Sequence, residues 1–120
     1  MCFMEGIGAC PAVGASLAPY GMEHHVYFWL KEDHQNPADR AAFEQGLQGL
    51  FDCPLVEGGR WAVPANVALR PVVDQSWDYA LSMRFATLAD HDAYQIDPGH
   101  LAFINTFKDR WAKVLVMDLA

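Results

Sequence analysis

Positive charge is scarce in this chain. Its 120 residues carry 8 lysines and arginines against 15 aspartates and glutamates, and no basic residue precedes Lys31. A nucleic-acid-binding face needs clustered cations to neutralise phosphates, and an anionic membrane surface asks for the same. The formal charge of −7 therefore argues against both partners. Long apolar runs are missing too. No stretch reaches the roughly 18 purely apolar residues that a transmembrane helix requires. Cysteine is sparse: Cys2, Cys10 and Cys53 show neither a CxxC pair nor a Cys/His spacing suited to zinc. Such a small, odd set fits a reducing cytoplasm better than a disulfide framework. Cys53, beside Pro54, reads as a small apolar residue at a helix end rather than as a nucleophile. A Gly-rich phosphate loop, a GxSxG elbow and an HExxH helix are also absent, so the motifs call for no cofactor and no metal.

What is present is apolar and concentrated after the first 22 residues. That opening segment holds Gly6, Gly8, Gly14 and Gly21 with Pro11 and Pro19, and it lacks helical or strand periodicity. Glu5 is its only charge, so it lacks the positive start of a secretory signal. Residues 1–22 are expected to be an unstructured extension, with a misassigned start at Met22 as the alternative. Residues 23–120 are expected to form one domain, for which a hydrophobic content of 52% is ample.

Strand and helix periodicities alternate along that domain. HHVYFWLK (24–31) is β-branched and aromatic, with His24, Val26, Phe28 and Leu30 on one face and His25, Tyr27 and Trp29 on the other. Asn36 and Pro37 are an N-cap and first-turn pair for a helix over 37–51 that carries Phe43, Leu47 and Leu50. A second strand is expected over 55–63, weakened by Gly58 and Gly59. A third over 77–86 puts Trp77, Tyr79, Leu81, Met83 and Phe85 on one face. Thr87 with Asp90 resembles a capping box opening a short helix to Ile96. Asp97 and Pro98 start another, with Leu101, Ile104, Phe107 and Trp111 on its apolar stripe, and a last strand covers 113–119.

The order β-α-β-β-α-β predicts an α+β, ferredoxin-like fold with a four-stranded antiparallel sheet. Its helices cover one face. The other would leave His25, Tyr27, Trp29 and their neighbours as an apolar patch larger than monomers usually expose. Face-to-face pairing of two sheets in a twofold homodimer resolves this.

Three segments, HHVYFWLK (24–31), RPVVDQSWDYAL (70–81) and AYQIDPGHLAFI (93–104), resemble the stress-responsive dimeric α/β-barrel (Dabb) family across essentially all of 23–120. The resemblance implies a homodimer whose two sheets close a barrel. It also brings a comparison with a plant polyketide cyclase of the family, which performs an aldol condensation without a cofactor. By the motifs, that enzyme's strand-one histidine, helix tyrosine and acid/base histidine fall on His24, Tyr94 and His100. Two further pocket histidines are replaced, by Tyr79 and Asp97. Haem-degrading and quinol monooxygenases share only the fold, and the amide that the former use on strand one is His24 here.

The candidate pocket thus joins His24, Tyr94 and His100 as catalytic candidates to Phe28, Phe43, Leu47, Tyr79 and Leu81 as an apolar ligand-binding lining. In a catalytic reading His100 removes a C–H proton beside a carbonyl, Tyr94 donates to the developing enolate oxygen, and His24 orients His100 or binds substrate. In a structural reading His100 caps its helix, His24 satisfies a buried hydrogen bond and Tyr94 fills the core. His25, on the other face with Tyr27, Trp29 and Arg84, lacks companions for a metal site. His34 and His91 read as solvated surface residues. Two functions follow: binding of a small apolar molecule without turnover, or a cofactor-independent polyketide-cyclase-like, lyase or isomerase activity.

Overall fold

The structure, a computed structural model, describes residues 21–120. The expectation for residues 1–20 lies outside the described residues. Met22, grouped with the extension on sequence grounds, is the first residue of strand β1 (Met22–Leu30), pairs with Phe85 and is buried.

Along β1 the burial alternates without a break: Met22, His24, Val26, Phe28 and Leu30 are buried, and the residues between them are half-buried. After it come α1 (Pro37–Gly49), β2 (Val56–Ala62), β3 (Tyr79–Phe85), α2 (Leu88–Gln95), α3 (Pro98–Phe107) and β4 (Trp111–Leu119). The strands form one antiparallel sheet in the order β2-β3-β1-β4, the ferredoxin-like arrangement expected from the sequence. No helix is long and apolar enough to cross a membrane among the described residues.

The predicted caps start all three helices. Asn36 Oδ1 accepts from the Asp39 amide at 2.9 Å, Thr87 Oγ1 from Asp90 at 3.0 Å, and Asp97 Oδ2 from Gly99 at 2.9 Å. The helices lie against the even-numbered face of β1. Phe43 of α1 meets the rings of Phe28 and Tyr79 at 5.1 and 5.3 Å between centroids. Phe103 of α3 meets Phe28 at 6.2 Å, and Tyr94 of α2 meets Phe85 at 5.2 Å. The three pairs of Phe28 and Phe43 are edge-to-face and the Tyr94–Phe85 pair is tilted; edge-to-face pairs contribute about 0.5–1.5 kcal/mol each beyond the area they bury.

Two tryptophans depart from expectation. Trp77 does not share the face of Tyr79; its ring lies 5.3 Å from Tyr27 on the opposite side of the sheet. Strand β3 begins only at Tyr79, so the period-two rule does not reach Trp77, whose Nε1 donates to the Asp74 carbonyl at 2.9 Å. Trp111 is the first residue of β4 rather than the last of a helix. A 3₁₀ turn, Lys108–Arg110, ends α3, and Trp111 pairs with Leu30 and packs 5.2 Å from Phe28.

The glycine pair of β2 marks a register shift in its pairing with β3 rather than a break in the strand. Gly59 adopts φ = 134°, and a Cβ there would collide with the Ser82 carbonyl oxygen. Gly59→Ala is expected to lower the unfolding free energy in urea by about 2 kcal/mol or more. Gly49→Ala, in α1 with nothing within 4 Å of the new Cβ, is expected to raise it by roughly 0.5–1 kcal/mol. Equal effects would show that the backbone at Gly59 is not constrained.

Candidate functional site

Because His24 falls on the even-numbered face of β1, it points beneath the helices and is 5% exposed. Its partner in register on β4 is Asp118, and His24 Nδ1 lies 2.5 Å from Asp118 Oδ1. With Nδ1 protonated, the imidazole donates and the carboxylate accepts. Helix α2 closes over the pair: the His91 ring lies 4.9 Å from that of His24 and 5.5 Å from Phe85, and the Tyr94 ring lies 6.2 Å from His24. Burial pushes the His24 pKa below its ordinary 6.5, against the opposing hydrogen bond and charge of Asp118 and with help from His91 and His100.

Tyr94 and His100 meet at the α2–α3 junction, 4.5 Å apart between ring centroids. His100 Nδ1 lies 3.1 Å from the Gln95 carbonyl. A carbonyl only accepts, so Nδ1 carries the proton and Nε2 of the neutral ring keeps its lone pair. Burial raises the Tyr94 pKa far above 10, with smaller contributions from Cys53 and Asp97, so its hydroxyl is a proton donor at neutral pH.

These side chains separate two cavities. One, of about 170 Å³, lies between the sheet and helices α2 and α3. Val26, Phe28, Leu81, Phe103 and Ile104 make its apolar wall, and His24, Tyr94, Gln95 and His100 are its polar residues. Val114 and Val116 of β4 border it and remain partly exposed. Trp111 also lines it, and the Trp111 indole N–H is buried without a hydrogen-bond partner among the described residues. The other cavity, of about 250 Å³, shares Leu50, Tyr94 and His100 as a wall and adds Asp52, Cys53 and Asp97.

The structure brings His24, Tyr94, His100, Phe28 and Leu81 to one cavity. It places Phe43, Leu47 and Tyr79 elsewhere. All three are fully buried and line neither cavity, and the Tyr79 hydroxyl donates to Glu44 Oε2 at 2.6 Å. His24 is held by Asp118, not paired with His100. His100 caps the end of α2 rather than the start of its own helix. His91 is not a solvated surface residue, because its side chain is only 12% exposed and packs on His24 and Phe85. His34 is half-buried against Asp39 at 3.0 Å. Asp118 and His91 were missed as neighbours of His24. The pairing of the first and last strands in a split βαβ sheet would have led to Asp118, but no short-range signal points α2 at His24.

Residues 22–120 match the family model described as Stress responsive A/B Barrel Domain. Solved structures with the same fold include a Dabb family protein from Mesorhizobium loti, 22% identical with a TM-score of 0.66 over 82% of this chain and 94% of that one. A dimeric ferredoxin-like protein from Thermobifida fusca is 17% identical with a TM-score of 0.70 over 90% and 99%. The hydroxynitrile lyase of Passiflora edulis is 19% identical with a TM-score of 0.66 over 83% and 93%. At these identities the likeness carries the fold and not the chemistry. No curated protein matches the chain.

A histidine whose folded pKa lies below its unfolded value contributes stability that is present above about pH 6.5 and is lost as pH falls through the folded value. The His24 ring proton resonances are expected to titrate with a midpoint below 6.5. Asp118→Asn removes the negative charge that opposes the shift and should move that midpoint lower still. A midpoint at or above 6.5 would show that the Asp118 carboxylate outweighs burial at His24.

Proposed function

This chain belongs to the stress-responsive A/B barrel domain family, and from that premise we propose that it binds a small, mostly apolar molecule carrying one polar group in the cavity beside His24 and His100. The observation that carries this reading is the size and lining of that cavity. A dry apolar cavity of about 150 Å³ accommodates benzene, whereas drug-sized ligands occupy roughly 300–1,000 Å³. A space of about 170 Å³ therefore suits a single ring or a short branched chain, and an extended polyketide exceeds it unless the Leu50–Tyr94–His100 wall moves. The buried Trp111 N–H supports a ligand with an acceptor oxygen.

A second reading, proton transfer on such a ligand, is favoured by the Gln95 carbonyl that leaves His100 Nε2 as a base and by the protonated Tyr94 hydroxyl beside it. His100 would take the C–H proton next to a carbonyl and Tyr94 would donate to the enolate oxygen; no cofactor enters this step. That a hydroxynitrile lyase shares the fold fits chemistry on small carbonyl compounds.

Benzaldehyde and acetophenone, titrated against tryptophan fluorescence and calorimetry, are expected to bind, and Ile104→Phe, which fills the cavity, to weaken binding at least tenfold. If neither compound binds, or the filled variant binds as well as the parent, the binding reading fails. Solvent deuterium incorporation at the acetophenone methyl group tests turnover. Loss on His100→Gln and Tyr94→Phe would support the acid–base pair, and no incorporation by the parent protein would exclude turnover of this substrate.

The open face of the sheet supports a homodimer. A groove of about 310 Å³ there is bordered by Tyr27, Trp29, Trp77, Leu115 and Met117. The loop between β2 and β3 exposes Val67, Leu69 and Val72 beside it in sequence. The Thermobifida fusca protein of this fold is described as dimeric. Sedimentation at micromolar concentration should give twice the chain mass, and Leu115→Glu should shift it to the single chain. A monomeric parent protein would overturn the pairing.

A further inference from the structure

We propose that His24, His91 and Asp118 form a binding site for a divalent transition-metal cation such as zinc, at the edge of the small cavity. One donor atom from each residue lies within 4.8 Å of the other two. They come from β1, α2 and β4, so the cluster is assembled by the fold rather than by a run of neighbouring polar residues. Two imidazoles and one carboxylate are a donor set that zinc and ferrous iron accept, with a remaining position for water or ligand.

The surroundings suit the role. Asp92 Oδ1 lies 3.3 Å from His91 Nδ1, and a proton held there leaves the lone pair on Nε2, which stands 4.0 Å from Asp118 Oδ1. A carboxylate behind the distal nitrogen is the usual support of a metal-binding histidine. Gln95 Nε2, 3.2 Å from His91 Nε2, occupies the approach and would turn aside. Asp118 is 42% exposed, which leaves an entry path.

The distances ask for small adjustments. Donors about 2.0–2.2 Å from a tetrahedral cation stand roughly 3.3–3.5 Å apart. His24 Nδ1 and Asp118 Oδ1, at 2.5 Å, would separate by about 1 Å as the cation replaces the proton between them. His91 Nε2 would approach Asp118 Oδ1 by under about 1 Å from its 4.0 Å separation. Side-chain rotation covers movements of this size.

The test is titration of the full chain, stripped with chelator, by cobalt(II) followed in visible absorption and by zinc followed in calorimetry. One cation per chain is expected, with His91→Gln and Asp118→Asn each weakening affinity at least tenfold. Asp92→Asn, which removes only the supporting carboxylate, should weaken it by about tenfold. Nitrogen chemical shifts of His24 and His91 in the unaltered protein, which require no variant to fold, should move on zinc addition. No stoichiometric binding, affinity unchanged in His91→Gln and Asp118→Asn, or zinc binding without movement of those two side chains would overturn the proposal. Aldehyde and ketone binding is read separately, so failure of either idea leaves the other standing.

Discussion

The register of β1 is the constraint on which everything else rests. This strand lies inside the sheet, with β3 on one side and β4 on the other, and its side chains alternate between two different environments. A slip of one residue would send His24 to the open face, bring His25 beneath the helices and part His24 from Asp118. Such a slip is opposed by the aromatic nucleus. Phe28 meets Phe43, Phe103 and Trp111 on the helix side, while Tyr27 meets Trp77 on the other. The apolar rings thus position His24 on the helix side of the strand, opposite Asp118.

The cavity follows from incomplete coverage. Phe43, Tyr94 and Phe103 fill the space above β1 and β3, but the helix-side residues of β4, Val114 and Val116, stay partly exposed. Volume is left where the helices stop short of that strand. The polar groups beside it are each committed elsewhere: His24 to Asp118 and His100 to the Gln95 carbonyl. Those commitments set which nitrogen holds a proton, so the hydrogen bonds that a purely structural account would invoke also define what the rings can do chemically.

Element order, the three caps and the face of β1 were legible because they rest on local signals: period-two alternation, Asn-Pro and Asp-Pro starts, and Thr87. The errors lie where local rules lapse. Trp77 sits before the strand, where alternation does not hold, and Trp111 follows a 3₁₀ turn that the i, i+4 spacing from Phe107 conceals. Among candidate site residues, His24, Tyr94, His100, Phe28 and Leu81 converge. Phe43, Leu47 and Tyr79 carry the right polarity but sit deeper, since apolar character alone does not distinguish a filled core from a cavity wall. Asp118 and His91 required the antiparallel register of the first and last strands and the tilt of α2, which are tertiary facts.

Among the described residues β4 pairs with β1 alone. Its detachment breaks a single ladder, whereas release of β1 or β3 breaks two. The same strand carries Asp118 and the valines at the cavity mouth. A local opening of β4, with the aromatic nucleus intact, would therefore uncover the cavity and release the carboxylate from His24 together, which places amide exchange in this strand, ligand entry and the proton on His24 under one free energy smaller than that of global unfolding.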